Sequence, residues 1–297
     1  MRGLRVRQPM QRLDLELREH RAAGIASQTG YRQSMDLGLQ GKVIMVGAAS
    51  KGLGFGIARA VAADGARVSI AARTAVDIAA AAESLRQESG AEVMGTTFDA
   101  RDGDSIREWQ AQTERTFGGI DGLVVNAGGP PAGSFDDFDD AHWQEAFELT
   151  LLSSIRMIRS VLPSMRQRGG GSIVTVTSSS VKEPIDILLL SNVMRSGVVS
   201  LAKSLATQLA PERIRVNNLV PGAIDTDRMR ANIRVRADAL NLSYEQVREQ
   251  RSQAIPARRF GHPDEYGRAG AFLLSDAASY ITGETLVVDG GAMRTVW

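Results

Sequence analysis

The segment Val43-Ile44-Met45-Val46-Gly47-Ala48-Ala49-Ser50-Lys51-Gly52-Leu53-Gly54-Phe55-Gly56-Ile57-Ala58 constrains the fold more than any other. Its apolar, β-branched opening predicts a buried central strand over 43–47. A tight glycine turn follows, then a helix from about Leu53. Gly52, Gly54 and Gly56 permit close backbone approach where a Cβ collides. The helix start aims unpaired N–H groups and the positive dipole end at the same spot, which suits a phosphate-bearing ligand. A plain strand-to-helix connection without ligand has the same local look. The position of this turn, after the first strong strand of a βα-repeating chain, is that of a dinucleotide fingerprint.

From Gly41 onward, strand and helix patterns alternate. Strands are expected at 43–47, 67–72, 92–97, 121–126, 172–177, 214–219 and 285–288. Helical patterns lie between them: Gly54–Asp64, Ala75–Ser89, Asp104–Phe117, Asp139–Arg168, Ser191–Leu209 and Pro263–Leu274. This alternation predicts an α/β fold, a single doubly wound Rossmann-type domain over 37–297 whose seven-stranded parallel sheet carries helices on both faces. Residues 1–36 stand apart: they are rich in arginine and show no strand pattern. They read as a mobile or peripheral extension with a short helix over 10–23, Leu13 and Leu17 on one side. A basic contact with a partner or a neighbouring subunit is the alternative. Asp14, Glu16 and Glu19 argue against a transit peptide.

Composition removes several function classes. A formal net charge of +1 implies no nucleic-acid partner. The chain has no cysteine, hence no disulfide, thiolate metal site or cysteine nucleophile. Its three histidines, His20, His142 and His262, are scattered, and no metal is expected. No apolar run approaches the ~20 residues of a membrane span. A cytoplasmic protein is the expectation.

Ligands of doubly wound sheets sit beyond the carboxyl ends of the strands. After the second expected strand comes Arg73, where an acid would bind the ribose hydroxyls of NAD and an arginine suits the 2′-phosphate of NADP. Lys51 adds a second cation nearby, so NADP(H) is expected over NAD(H). After the third, Asp99 and Ala100 follow; Asp99 can accept from an adenine amino group, whereas Asp102 or Asp104 suits a helix cap better. After the fourth, Asn126-Ala127-Gly128 lets the backbone lie against a ribose. After the sixth, Pro221-Gly222-Ala223-Ile224-Asp225-Thr226 makes a tight turn that brings Thr226 over the pyrophosphate or nicotinamide.

With these motifs together, the chain resembles the short-chain dehydrogenase/reductase family from about Leu37 to its end, and most of all its 3-oxoacyl-carrier-protein reductase-like branch. The resemblance rests on the glycine turn, Asp99, Asn126-Ala127-Gly128, Ser178 in Thr-Ser-Ser-Ser, Pro221-Gly222 with Thr226, and the closing Tyr280-Ile281-Thr282-Gly283 and Val288-Asp289-Gly290-Gly291. It implies cofactor contacts at Gly47, Ser50, Lys51, Gly52, Leu53, Gly54, Arg73, Asp99, Ala100, Asn126, Ala127, Gly128, Arg195, Pro221, Gly222, Ile224 and Thr226. The family's turn opens with Thr-Gly, which here reads Gly47-Ala48.

The resemblance fails at the chemistry. The family uses Ser, Tyr-x-x-x-Lys and an Asn. Ser178 matches the serine, but Ser191 and Arg195 stand at the tyrosine and lysine positions, and the Asn falls at about Thr150. A phenol titrates near ~10, whereas an aliphatic hydroxyl is a far weaker acid. Arg195 can stabilise an alkoxide, but with a pKa expected to stay above ~12 it cannot act as a base. Three readings stay open. One is a reductase or dehydrogenase in which Ser178, Ser191 and Arg195 are catalytic, with water, Lys182, Glu183 or Asp186 delivering the proton to a carbonyl substrate, an acyl thioester included. The others are a non-catalytic NADP(H)-binding protein, and a lyase, isomerase or hydrolase on the reshaped pocket.

Between Thr226 and Pro263 lies a helical insertion, similar to the family's substrate lid at about 226–262. It carries Arg228, Arg230, Arg234, Arg236, Arg248, Arg251, Arg258 and Arg259, which read as a solvated face or as an attractor for an acyl-carrier or CoA phosphate. Tyr244 in this lid has a phenol to offer, but it is not expected to reach the pocket. By resemblance, the helices at 139–168 and 191–209 imply a homotetramer or dimer.

Overall fold

Seven apolar runs become the strands of one sheet in the computed structural model, which describes residues 36–296. β1 (Val43–Gly47), β2 (Arg67–Ala72), β3 (Val93–Thr97), β4 (Gly122–Val125), β5 (Gly171–Val176), β6 (Ile214–Pro221) and β7 (Thr285–Val288) pair in the order β3-β2-β1-β4-β5-β6-β7. Every pairing is parallel. The expected extension and its helix over 10–23 lie outside the described residues.

Nine α-helices connect and flank the described strands: α1 (Gly52–Ala63), α2 (Ala75–Ser89), α3 (Gly103–Phe117), α4 (Asp140–Ala146), α5 (Ser153–Gln167), α6 (Leu189–Leu209), α7 (Asp227–Leu240), α8 (Tyr244–Ala254) and α9 (Pro263–Leu274). The central strands are buried along their whole length, which is why β1 and β4 read as unbroken apolar runs. Successive side chains still go to opposite faces. Ile44 and Val46 join a core with α1, α2 and α9, while Met45 joins a second core with α3, α5 and α6. In the second core Trp109 is fully buried and its indole N–H donates to Ser69 Oγ at 2.9 Å.

The single helix expected over 139–168 is interrupted. Between α4 and α5 the chain makes a π-turn over Phe147–Leu152. The carbonyl of Thr150 there accepts hydroxyls from Ser154 at 2.7 Å and Ser153 at 3.3 Å. An inserted residue of this kind barely disturbs the hydrophobic period, so the pattern conceals it; such turns recur at functional sites. The insertion folds as α7 and α8 around a small core of its own, Ile233, Ala237, Val247 and Phe260. No helix among the described residues is long and apolar enough to cross a membrane. The strand order reverses between β1 and β4, which opens a crevice at their carboxyl ends.

Candidate active site

The crevice is shaped first by how closely β1 and β4 meet. A Cβ on Gly47 would lie 2.5 Å from the carbonyl oxygen of Asn126, and one on Gly54 would lie 2.7 Å from that of Ala48. The Asn126 amide donates to the carbonyls of Gly47 at 3.1 Å and Ala48 at 3.4 Å, tying the two strand ends together. Ala48 has φ +46°, in the left-handed region where the family's glycine is at ease. Gly56 serves a different purpose from the one its place in the motif suggests. Its Cβ would meet the Pro263 carbonyl oxygen at 2.4 Å, and one on Gly267 would meet that of Gly56 at 2.1 Å, so it seats α1 against α9 rather than against a ligand. At the start of α1, Lys51 makes no side-chain cap and the first turn has no acid, which leaves the helix N–H groups free for an anion.

Two clefts flank this turn. The first, about 330 Å³, is lined by Ser50, Lys51, Arg73, Asp99, Ala100, Ala127 and Gly128 among others. Lys51 and Arg73 are exposed there, and neither forms a hydrogen bond or ion pair among the described residues. Asp99 is clasped by Arg101, which donates from Nη2 at 2.8 Å and from Nε at 3.2 Å. That hydrogen-bonded guanidinium, helped by the charge of Arg73, holds the Asp99 carboxyl below its ordinary range. Asp102 caps α3 by accepting from the Asp104 N–H at 2.9 Å.

The second cleft, about 550 Å³, gathers Leu53, Ser178, Ser191, Arg195, Pro221, Gly222, Ile224 and Thr226. Gly47, Gly52, Gly54 and Asn126 lie outside both linings and form the turn itself. Thr226 caps the lid helix α7, accepting from the Met229 N–H at 3.2 Å. Ser178 Oγ accepts from the Ser180 N–H at 3.2 Å, so its own proton stays available to the cleft. Ser191, only 8% exposed, accepts from Arg195 Nε at 3.2 Å. Arg195 Nη1 donates to the Val176 carbonyl at 3.0 Å, which pins the guanidinium against the end of β5. Burial, and next the charge of Arg228, push Arg195 down to about 10. The expectation that this residue stays above ~12 is therefore corrected: desolvation makes its proton easier to release.

The tyrosines stand elsewhere. Tyr266 is fully buried and its phenol donates to the Leu219 carbonyl at 3.0 Å, burial raising its pKa. Tyr244 packs in the lid's own core, away from the cleft. Among the three loop groups considered for proton delivery, Glu183 reaches the cleft and Lys182 and Asp186 do not line it. Glu183 Oε1 accepts from the Arg294 N–H at 2.8 Å. Thr150 is buried in the π-turn with its hydroxyl lacking a hydrogen-bond partner. Sequence reasoning missed that Arg228 and Arg251 line the cleft while the other lid arginines do not. The signal lay in Asp225, the acid just before the lid, which engages Arg230 at 2.9 Å and Arg248 at 3.0 Å.

Residues 47–293 match the family model described as enoyl-(acyl carrier protein) reductase. A rabbit (Oryctolagus cuniculus) dehydrogenase/reductase SDR family member 4 is 37% identical over 255 residues, 86% of this chain and 94% of its own length. The L-sorbose reductase of Gluconobacter frateurii, solved with NADPH and L-sorbose, superposes with a TM-score of 0.85 at 30% identity, covering 88% of this chain and 100% of its own. An NADPH-bound short-chain oxidoreductase from Pseudomonas aeruginosa PAO1, described as containing an atypical catalytic centre, superposes with a TM-score of 0.79 at 32% identity over 86% of this chain and 98% of its own. By sequence, sheet order and the glycine turn at the β1–β4 crevice, this chain belongs to the short-chain dehydrogenase/reductase family of oxidoreductases.

Proposed function

We propose that this protein is an NADP(H)-dependent oxidoreductase that reduces a carbonyl compound, or oxidises the corresponding alcohol, through Ser178, Ser191 and Arg195. The observation that carries the reading is the convergence of these three residues on one cleft beside a second cleft, at the glycine turn, that holds two unpaired cations. The uncapped start of α1 suits a pyrophosphate, and Lys51 with Arg73 suits a 2′-phosphate. That both solved relatives described above are NADPH complexes supports the cofactor choice. The second of them supports the idea that a family member works with a non-standard centre.

When bound, the cofactor supplies or accepts a hydride. The chain's own residues manage the oxygen and its proton. The Ser178 hydroxyl donates to the carbonyl oxygen, fixed in direction by the bond it accepts from Ser180. Arg195, held by the Val176 carbonyl, places positive charge where an alkoxide develops. As the charge on that oxygen develops, the Ser191 hydroxyl gives it a proton and takes one from Arg195 Nε along the 3.2 Å hydrogen bond, and water then returns a proton to the guanidine so that it is cationic for the next turnover. A guanidinium lowered to about 10 lies close to the ordinary pKa of lysine, ~10.4, so Ser191 and Arg195 divide between them the work of the family's Tyr and Lys.

The test is NADPH oxidation over a carbonyl panel, followed at the nicotinamide absorbance, for wild type, Ser178→Ala and Arg195→Ala. Equal rates in all three would remove the proposed site. Tight NADPH binding without turnover favours a binding protein, and conversion without an absorbance change favours a lyase or isomerase. The reading includes a homo-oligomer, supported by β7, an edge strand whose four residues all remain half-buried in the single chain.

A further inference from the structure

The lid arginines divide sharply once their partners are counted. Arg230 and Arg248 bind Asp225, Arg259 binds Glu265, Arg258 binds Gln253, and Arg234 lies over the Tyr244 ring at 5.7 Å. Arg236 is exposed and outside the cleft. Arg228 and Arg251 remain. Both line the cleft that holds Ser178, Ser191 and Arg195, and neither forms a hydrogen bond or ion pair among the described residues.

The acids of that cleft form no ion pair with them among the described residues. Asp289 accepts the N–H groups of Gly291 at 2.8 Å and Met293 at 2.7 Å, and Glu183 accepts that of Arg294 at 2.8 Å. Both carboxylates thus hold the C-terminal turn. Arg251 is half-buried, and burial together with the charge of Arg236 lowers its pKa. The guanidinium of Arg228 lies against Gly129, close enough that a Cβ there would sit 2.9 Å from Nη1, and its charge acts on Arg195. Arg228 is exposed and keeps its hydration, so the penalty of burial falls on Arg251: a partly desolvated cation without a partner is unfavourable, and an anion that pairs with it offsets that loss.

We infer that the substrate carries a carboxylate, bound by Arg251 and Arg228 in the same cleft in which Ser178 receives the reacting carbonyl. The inference rests on the reductase reading and adds the substrate class, an oxo acid. It favours a carboxylate over the phosphate of a phosphopantetheine arm, because that phosphate lies the whole length of the arm from its thioester carbonyl, whereas these arginines share the reaction cleft itself.

The test pairs oxo acids with their methyl esters: acetoacetate, levulinate and benzoylacetate, each against its ester, with acetoacetyl-CoA alongside. Wild type is expected to prefer the acids in kcat/KM by about tenfold or more, the usual worth of a charge-assisted bond. Arg251→Ala and Arg228→Ala are expected to erase most of that preference without weakening NADPH. Arg251→Lys should retain part of it, and Arg166→Ala, which breaks an exposed pair with Glu212, should leave it unchanged. Calorimetric titration of levulinate into the NADP⁺-loaded protein gives a second readout, independent of turnover. Equal use of acids and esters by wild type overturns the inference and leaves the reductase reading standing, as does a preference for acetoacetyl-CoA over the free acids. Variants that weaken NADPH but keep the acid preference assign the arginines to the cofactor and also overturn it. Arg251-dependent levulinate binding without reduction of any ketone removes the reductase reading while the anion subsite stands.

Discussion

Removing Arg73 should separate the two nicotinamide cofactors. Arg73 follows β2, exposed and unpaired, in the cleft that also holds Lys51. A 2′-phosphate placed there meets one or two cations; the free hydroxyl of NADH meets no charge requirement at all. Two unit charges at ~4 Å attract by about 1 kcal/mol in bulk water and about 4 kcal/mol at an effective dielectric constant near 20. An exposed arginine belongs toward the lower value, and a charge-assisted hydrogen bond nets about 1.5 kcal/mol or more. Arg73→Ala should therefore weaken NADPH about tenfold, and Lys51→Ala with Arg73→Ala about a hundredfold. The loss is not softened by neighbours, because Asp77 and Asp99 line the same cleft and the charge of Arg73 acts on Asp99. Fluorescence titration with NADPH and NADH measures both constants. NADPH affinity should also fall faster than NADH affinity as salt is raised, since a Debye length of ~10 Å at 0.1 M screens exposed charges. Equal weakening of both cofactors by Arg73→Ala, or wild-type binding of NADH as tight as that of NADPH, refutes the reasoning.

Arg195→Ala should lower kcat by about 10² to 10³, the usual loss of one oxyanion donor, with Arg195→Lys recovering part of it in steady-state assays. Reduction requires Arg195 protonated, so its rate should hold from pH 7 to 9 and fall through about 10; in Arg228→Ala the alkaline limb should move to higher pH, because a like charge has gone, and a limb that stays put argues against the relay. The same shift has a stability sign: between about 10 and the higher ordinary value of a free guanidinium the unfolded chain binds the proton more readily than the folded one, so the stability loss from burying this charge is relieved as pH rises through that window. Gly56→Ala should lower stability by about 2 kcal/mol in thermal unfolding, since its Cβ meets the backbone of Pro263, while NADPH affinity per folded molecule stays the same. Sedimentation should give a dimer or tetramer; a monomer alone removes the oligomer reading.

The sheet was legible because its strands announce themselves locally. Buried parallel strands must be apolar on both faces, and the turns between them must be short, so Val43–Val46 or Leu123–Val125 can be read one at a time. That Ser50, Lys51, Arg73, Asp99 and Ala127 gather at one cleft was legible for the same reason, since each follows closely on a strand end. What stayed hidden depends on residues distant in sequence meeting in space. Gly56 looks like the third ligand glycine until Pro263 and Gly267 are seen against it. The π-turn at Phe147–Leu152 leaves the apolar period nearly intact. Arginine spacing on a helix cannot tell Arg230, taken by Asp225, from Arg228, which is not. The ionisation of Arg195 was misjudged because its residue type sets only the starting value; burial and Arg228 set the rest.

The three arginines of the substrate cleft carry the same charge but should act on different kinetic constants. A carboxylate on the substrate is charged before, during and after hydride transfer. Arg251 meets the same charge in the ground state and in the transition state, so its contribution is uniform binding, which sets KM and leaves kcat alone. The carbonyl oxygen is nearly neutral in the ground state and anionic only as the hydride transfers. Arg195, pinned to Val176 and bonded to Ser191, meets that charge only then, so its contribution appears in kcat. Arg228 stands between these roles, next to Gly129 and within the field of Arg195. An anion bound by Arg228 and Arg251 would screen Arg195 from a like charge, raise its pKa and make it a weaker acid but a better electrostatic partner. Oxo acids and their esters should then differ in the position of the alkaline limb as well as in KM, the acids holding their rate to higher pH. A limb at the same pH for both substrates would mean that the two halves of the cleft act independently.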